Sequence, residues 1–214
     1  MAEPTTVVKL PDTPGRIQIS FPLGDREIDG AVIKPLTLPA FVDCVVDTRT
    51  MQSPNTFEAK LRRNRLLRQV VFYMGNTVVP VTSEELLRMP IPVARTLIDK
   101  LDSGDGPVGK IIRKGDGISE AIVYELGTPI SGGQGRQPIK ELEFLAHTYG
   151  DVEDIMSAGT GLQQALLLIS TIAKPLGTSL TQLPSWAVNQ VSATDGLMIS
   201  NDVLPFFLGS PDES

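Results

Sequence analysis

The sequence predicts an α+β protein built from two pseudo-repeated modules, each a β-hairpin followed by three or four short helices. Three observations lead there. The segment Ile33-Lys34-Pro35-Leu36-Thr37-Leu38-Pro39-Ala40 has a diverged counterpart in Ile139-Lys140-Glu141-Leu142-Glu143-Phe144-Leu145-Ala146. The same order of features then follows each segment. An apolar helical run (Leu66 to Met74; Leu166 to Ala173) leads to a turn (Gly75-Asn76; Pro175-Leu176-Gly177). A short stretch closed by Met89-Pro90 or Leu183-Pro184 precedes a last helix. Finally, a chain of 214 residues divides into two modules of about 100 residues each. A unit used twice fixes the architecture before any single element is read.

Taken in order, residues 1–15 carry three prolines and a glycine and read as an extended N-terminal arm. Residues 16–101 form the first unit. Ile17, Ile19 and Phe21 alternate with polar neighbours, which is strand periodicity. Gly24-Asp25 and Asp29-Gly30 punctuate a turn, and Ala31 to Leu36 returns as the second strand. Pro39 suits the first turn of a helix that continues from Ala40 to Asp47. Thr48 to Asn55 reads as polar loop. Phe57, Leu61, Leu66, Val70, Val71 and Met74 share one helical face. Thr82 and Glu85 have capping-box spacing, and Val93 to Leu101 forms the last helix.

Residues 102–117, rich in Gly and Asp, read as a linker, and residues 118–200 as the second unit. A strand from Ile118 to Leu126, a soft turn from Gly127 to Gln137 and a return strand from Ile139 to Leu145 make its hairpin. Helices follow at Gly150-Asp151, at Thr160 or Gly161, and from Trp186 to Val191. Residues 201–214 are an apolar segment with an acidic tail.

Composition narrows the function. Aromatics are only 5%, so the cores must be mainly aliphatic, and modules this small bury limited cores, which compels them to pack on each other or on partners. A formal charge of −6 repels phosphate backbones and argues against nucleic acid as a partner. Cys44 is the sole cysteine and His147 the sole histidine, which leaves no disulfide within the chain, no two-His metal site and no usual general base. Cys44, between valines, reads as a small buried hydrophobe. The start of the chain has no basic segment followed by an apolar core, and Ala165 to Ala173 falls well short of the ~20 residues needed to span a bilayer. The expectation is an intracellular protein without a membrane partner.

Several motifs call for a bland reading. Gly104-Asp105-Gly106-Pro107-Val108-Gly109-Lys110 fits Gly-x-x-x-x-Gly-Lys, but Ile111 stands where a phosphate loop needs Ser or Thr for magnesium. Gly132-Gly133-Gln134 falls in a hairpin turn, where glycines permit positive φ. Asp151, Glu153 and Asp154 suit the first turn of a helix rather than a metal. No cofactor, metal or catalytic residue is expected. The basic run Lys60, Arg62, Arg63, Arg65 and Arg68 stands out against the acidic background. Arg62, Arg63, Arg65 and Arg68 are therefore candidates for docking an acidic partner surface. Leu204, Phe206 and Phe207 are candidates for an apolar anchor, the competing reading being that this segment completes the second core.

The order of elements resembles the tail assembly chaperones of Mu-like and P2-like contractile-tailed bacteriophages. The resemblance rests on Leu36-Thr37-Leu38-Pro39 at a helix entry, the aliphatic run Leu66 to Met74, the Gly75-Asn76 turn and Leu86-Leu87-Arg88-Met89-Pro90. The second unit offers Leu176-Gly177 and Leu180-Thr181-Gln182-Leu183-Pro184, with Leu145 in place of the proline at the helix entry. The resemblance implies a non-catalytic tail assembly protein, here as two tandem units where the family member is usually one. Its partners would be tail tube, tape-measure or baseplate subunits, and homo-oligomers are compatible with it. The site of action would be the host cytoplasm during assembly. The alternative is a structural component retained in the virion tail or baseplate.

Overall fold

The computed structural model describes residues 15–46, 54–103, 106–113, 121–132, 137–146, 148 and 150–208. The expected N-terminal arm, His147, Gly133-Gln134 and the acidic tail lie outside them, apart from Gly15. The architecture is α+β, with two antiparallel four-stranded sheets in two similar modules. The chain divides into a first unit of Met1–Lys34 with Glu58–Ser103 and a second of Pro35–Phe57 with Gly104–Ser214. This corrects the expected partition: residues 35–57 belong to the second unit, not the first.

In the first unit, strands β1 (Arg16–Leu23) and β2 (Arg26–Ile33) form a hairpin on a tight turn at Gly24-Asp25, where Gly24 has φ 61°. Asp29-Gly30, expected in the turn, lies within β2. The Arg16 side chain crosses Gly30, in the space a Cβ would fill. Phe21, Leu23 and Ile28 point into the core, where Phe21 meets Phe72 edge to face at 6.2 Å.

Helix α1 (Leu38–Val46) follows β2, and helix α2 (Pro54–Gln69) runs directly into strand β3 (Val70–Met74). The expected helix through Met74 therefore ends at Gln69. Val70, Val71, Phe72 and Tyr73 are β-branched or aromatic, and the sheet can pair them: β3 lies antiparallel to β2, with Ile33 opposite Val70. Gly75, at φ 59°, turns the chain into strand β4 (Thr77–Val79). Helix α3 (Ser83–Leu86) opens with the expected capping box, Thr82 and Glu85 each bonding the other's backbone N–H. Helix α4 (Ile91–Ser103) starts two residues earlier than expected because Pro92 falls in its first turn, where a missing N–H costs nothing.

In the second unit, strand β5 (Lys110–Arg113) is an edge strand formed by part of the expected linker. Pairing with β6 (Ile122–Ile130) holds it, and Gly127 lets the Pro107 backbone pass close by. Strand β7 (Ile139–Phe144) completes the hairpin. Helices α5 (Gly150–Ser157) and α6 (Gly161–Ile172) come next, α6 being capped by Thr160. As α2 does with β3, α6 runs straight into strand β8 (Ala173–Pro175), which pairs with β7. Helices α7 (Ser185–Val188) and α8 (Ala193–Met198), a π-helical turn (Ile199–Val203) and α9 (Leu204–Leu208) end the described chain.

The repeat holds at the level of elements, but its register differs from that of the sequence echo. Ile33 pairs with the first residue of β3, and Phe144 pairs with the first residue of β8, so Ile33 answers Phe144 rather than Ile139. From α3 and α7 onward the two units step in parallel. Met89 N–H bonds Leu86 O as Val191 N–H bonds Val188 O, and Arg88 bonds Glu85 as Gln190 bonds Ala187. Buried Leu86, Met89, Leu97 and Leu101 thus answer buried Val188, Val191, Ile199 and Val203. Pro90 answers Ser192, not Pro184. The last helical run of the second unit includes the segment after Asn201, which the sequence reading placed outside the repeat.

Candidate interaction surfaces

The most specific structural feature is the strap formed by Leu36, Thr37 and α1. Leu38 N–H donates to Val191 O at 2.7 Å, Ala193 N–H donates to Leu36 O at 2.9 Å, and Thr37 bridges Ser192 in antiparallel fashion. Leu38 and Val42 are buried in one core with Ala165, Leu168 and Ile169 of α6. Gly196 is the reason Leu38 fits, since a Cβ there would overlap its side chain. The strap thus has its own built receptor.

Beside that receptor lies a buried carboxylate that the sequence reading passed over. Asp195 accepts hydrogen bonds from Gly127 N–H (2.8 Å), Thr128 N–H (3.3 Å), the Tyr124 hydroxyl (3.2 Å) and the Ser192 hydroxyl (2.7 Å). The Ser192 hydroxyl also accepts from Asp195 N–H and caps α8. Burial, followed by the neighbouring Asp195 charge, pushes the Tyr124 phenol well above its usual range. Tyr124 therefore stays protonated and keeps donating. The cluster pins β6 to the start of α8, and Gly109 is needed because a Cβ would run into it. The Ser192-x-x-Asp195 spacing was a visible cap signal.

The basic run occupies α2 but does not act as one face. Arg62 pairs with Glu58 at 2.6 Å and keeps its side chain 47% exposed. Arg65 bonds Gln69, Asp102 and Leu101 O, so it braces α2 against α4. Arg63 is half-buried with a sheltered Nε that has no hydrogen-bond partner, and Arg68 is exposed. Aligned at their helix-to-strand junctions, α2 carries Arg62 and Arg65 where α6 carries buried Ala165 and Leu168.

The expected apolar anchor is corrected in part. Leu204 is 5% exposed and belongs to the second core, while Phe206 and Phe207 pack against that core and against each other, ring centroids 5.4 Å apart. Leu204 answers Asp102 in the repeat. The pair Arg65–Asp102 of the first unit therefore stands where the second has Leu168 and Leu204.

Lys110 lies at the start of β5, paired with Glu125 at 3.3 Å, and the phosphate-loop pattern leads into a strand instead of a helix. Asp151 and Glu153 fall in the first turn of α5, and Asp151 accepts from Thr148 N–H at 2.8 Å. Among the described residues no three His, Cys, Asp or Glu side chains gather as metal ligands. No described helix is long and apolar enough to cross a membrane. An open cleft of about 330 Å³ lies between Gly132 and Gln137 on one side and Gly177 to Leu180 on the other, beside Trp186. Among the described residues its lining carries amide, hydroxyl and indole groups but no acid, base or thiol. Set against known proteins, the chain matches no family model, no curated protein and no solved structure.

Proposed function

We propose that the chain is a non-catalytic bacteriophage tail assembly protein. It acts as a chaperone that binds tail tube, tape-measure or baseplate subunits in the host cytoplasm during tail morphogenesis. The observation that carries this reading is the strap. Leu36-Thr37-Leu38-Pro39 is one of the points of resemblance to the tail assembly chaperones, and here it is a segment, extended and then helical, held by α6 and α8. A fold that grips one such apolar segment has the geometry to grip others, as a chaperone for assembling subunits must. The chemistry of the described surfaces, bracing ion pairs and apolar seats, suits protein contact.

Co-expression with tail tube, tape-measure and baseplate subunits tests the reading: at least one should co-purify and become soluble only in the presence of this chain. Failure to engage any of them would contradict it. Mass spectrometry of mature particles separates a transient chaperone, which is absent, from a virion component, which is present in fixed copy number. Lys110→Ala should leave assembly intact, and ATP binding lost in that variant would contradict a non-catalytic role.

A further inference from the structure

The strap belongs to the second unit by contact and to the first by chain order. Its segment, Pro35–Phe57, falls between two stretches of the first unit, Met1–Lys34 and Glu58–Ser103. Lys34 N–H donates to Gln69 O at 2.8 Å, inside the first unit, and Leu36 O accepts from Ala193 N–H, inside the second. Pro35 alone separates the two attachments. The strap's described partners lie far along the chain: Val191, Ser192 and Ala193 beside its main chain, and Ala165, Leu168 and Ile169 in one core with Leu38 and Val42. Helix α1 accordingly packs on α6 and α8. Both ends of the strap thus run into the first unit, and one stretch of chain, Ser103 to Lys110, connects it to its receptor.

We propose that the receptor on α6 and α8 also takes the strap of a second copy of the chain, so that copies join by exchanging straps. An element joined to its receptor by one connection exchanges between copies without threading one chain through another. Each contact made within a chain is then remade between chains. The fit of the occupant is already built. Leu38 enters the room left by Gly196, and the extended residues before it add main-chain bonds to Val191 and Ala193. Recognition combines strand addition with a helix laid in a groove. Concentration decides between the two forms. A chain's own strap competes at an effective concentration of roughly 1 mM, the order expected for a short flexible connection, so exchange between wild-type copies sets in near that level. The proposal needs only the strap and its receptor, and holds whether or not the chain binds tail subunits.

The test uses two full-length variants, each disabled on one side. Leu38→Asp spoils the strap and leaves the receptor, whereas Gly196→Val fills the receptor and leaves the strap. Neither can close on itself, so a mixture is free of competition from a chain's own strap. The mixture should form a 1:1 heterodimer in sedimentation, and each variant alone should stay monomeric. Replacing Gly196→Val by the Leu38→Asp/Gly196→Val double variant should weaken pairing at least tenfold. Should Leu38→Asp lose its cooperative thermal melt, Leu38→Ala takes its place. Wild type should be monomeric when dilute and dimerise at about 1 mM, and Gly196→Val alone should not. No heterodimer from the folded pair, or pairing indifferent to the double variant, would overturn the proposal. So would wild type that stays monomeric at that concentration, or a wild-type dimer that persists in Gly196→Val, which would place the contact elsewhere.

Discussion

Single residues decide which contacts this fold can make. Asp195 is the clearest case, because four donors converge on one carboxylate. Asp195→Ala strands the Gly127 and Thr128 amides and the Tyr124 hydroxyl. Each unsatisfied donor costs about 1–3 kcal/mol, so a loss on the order of 3 kcal/mol or more is expected in urea unfolding. Tyr124→Phe removes one bond and should cost about 1–2 kcal/mol. A change below about 0.5 kcal/mol in Asp195→Ala, typical of an exposed site, would mean the cluster is not the anchor described. Glu85 makes a pH prediction. The Thr82 backbone N–H above all, with the Thr82 hydroxyl and Arg26, holds its carboxyl below the usual range, partial burial opposing. A lowered folded pKa gives stability that is complete above the ordinary glutamate value of about 4.3 and is lost as pH falls through the folded one. Thermal melts of the wild type should therefore fall toward Glu85→Gln on acidification below that range. A gap that stays constant down to pH 3 would contradict the capping box as its source.

At the scale of elements, the two units solve one packing problem in different ways. The helix before the third strand and the last helical run bring Leu168 and Leu204 into the core of one unit, and the ion pair Arg65–Asp102 to the equivalent positions of the other. Their stabilities should differ accordingly. Leu204→Ala should cost about 2–5 kcal/mol, as for a buried leucine. Asp102→Ala should cost about 0.2–1 kcal/mol, since that pair is partly exposed. Equal losses in chemical denaturation would contradict the correspondence. Truncation after Asn201 removes Val203 and Leu204 from the core and should lower the melting temperature of the isolated protein. A stable truncated chain that fails to assemble would return the segment to the role of a partner anchor. The junctions from α2 into β3 and from α6 into β8 explain the misread boundaries. The apolar face of each helix runs on into a strand with no glycine or proline between, and periodicity alone does not mark where the backbone changes.

At the scale of the whole molecule, the sequence revealed the class, both hairpins, the Thr82 and Thr160 caps and the existence of a repeat. Its register was hidden, because Ile-Lys-x-Leu and Leu/Met-Pro are common enough to match out of phase, whereas the hydrogen-bond pattern after α3 and α7 is not. The destination of α1 was hidden too. An apolar helix after a hairpin carries no mark of where it packs, and Gly196, which makes room for Leu38, lies far along the chain. Two of the seven candidate partner-binding residues, Arg65 and Leu204, proved to be internal braces for the same reason: charge and hydropathy report what a side chain can do, not which helix lies across from it. The central claim, that α1 is seated in the second unit, can be read from Cys44, the only thiol and fully buried on that helix. Thiol-labelling rates under native conditions should be compared in the wild type, in Gly196→Val and in Leu97→Ala. Gly196→Val removes the seat of Leu38, and Leu97→Ala opens a cavity in the first core. Labelling accelerated at least tenfold by Gly196→Val and far less by Leu97→Ala is the predicted result, and acceleration by Leu97→Ala with none by Gly196→Val would contradict it.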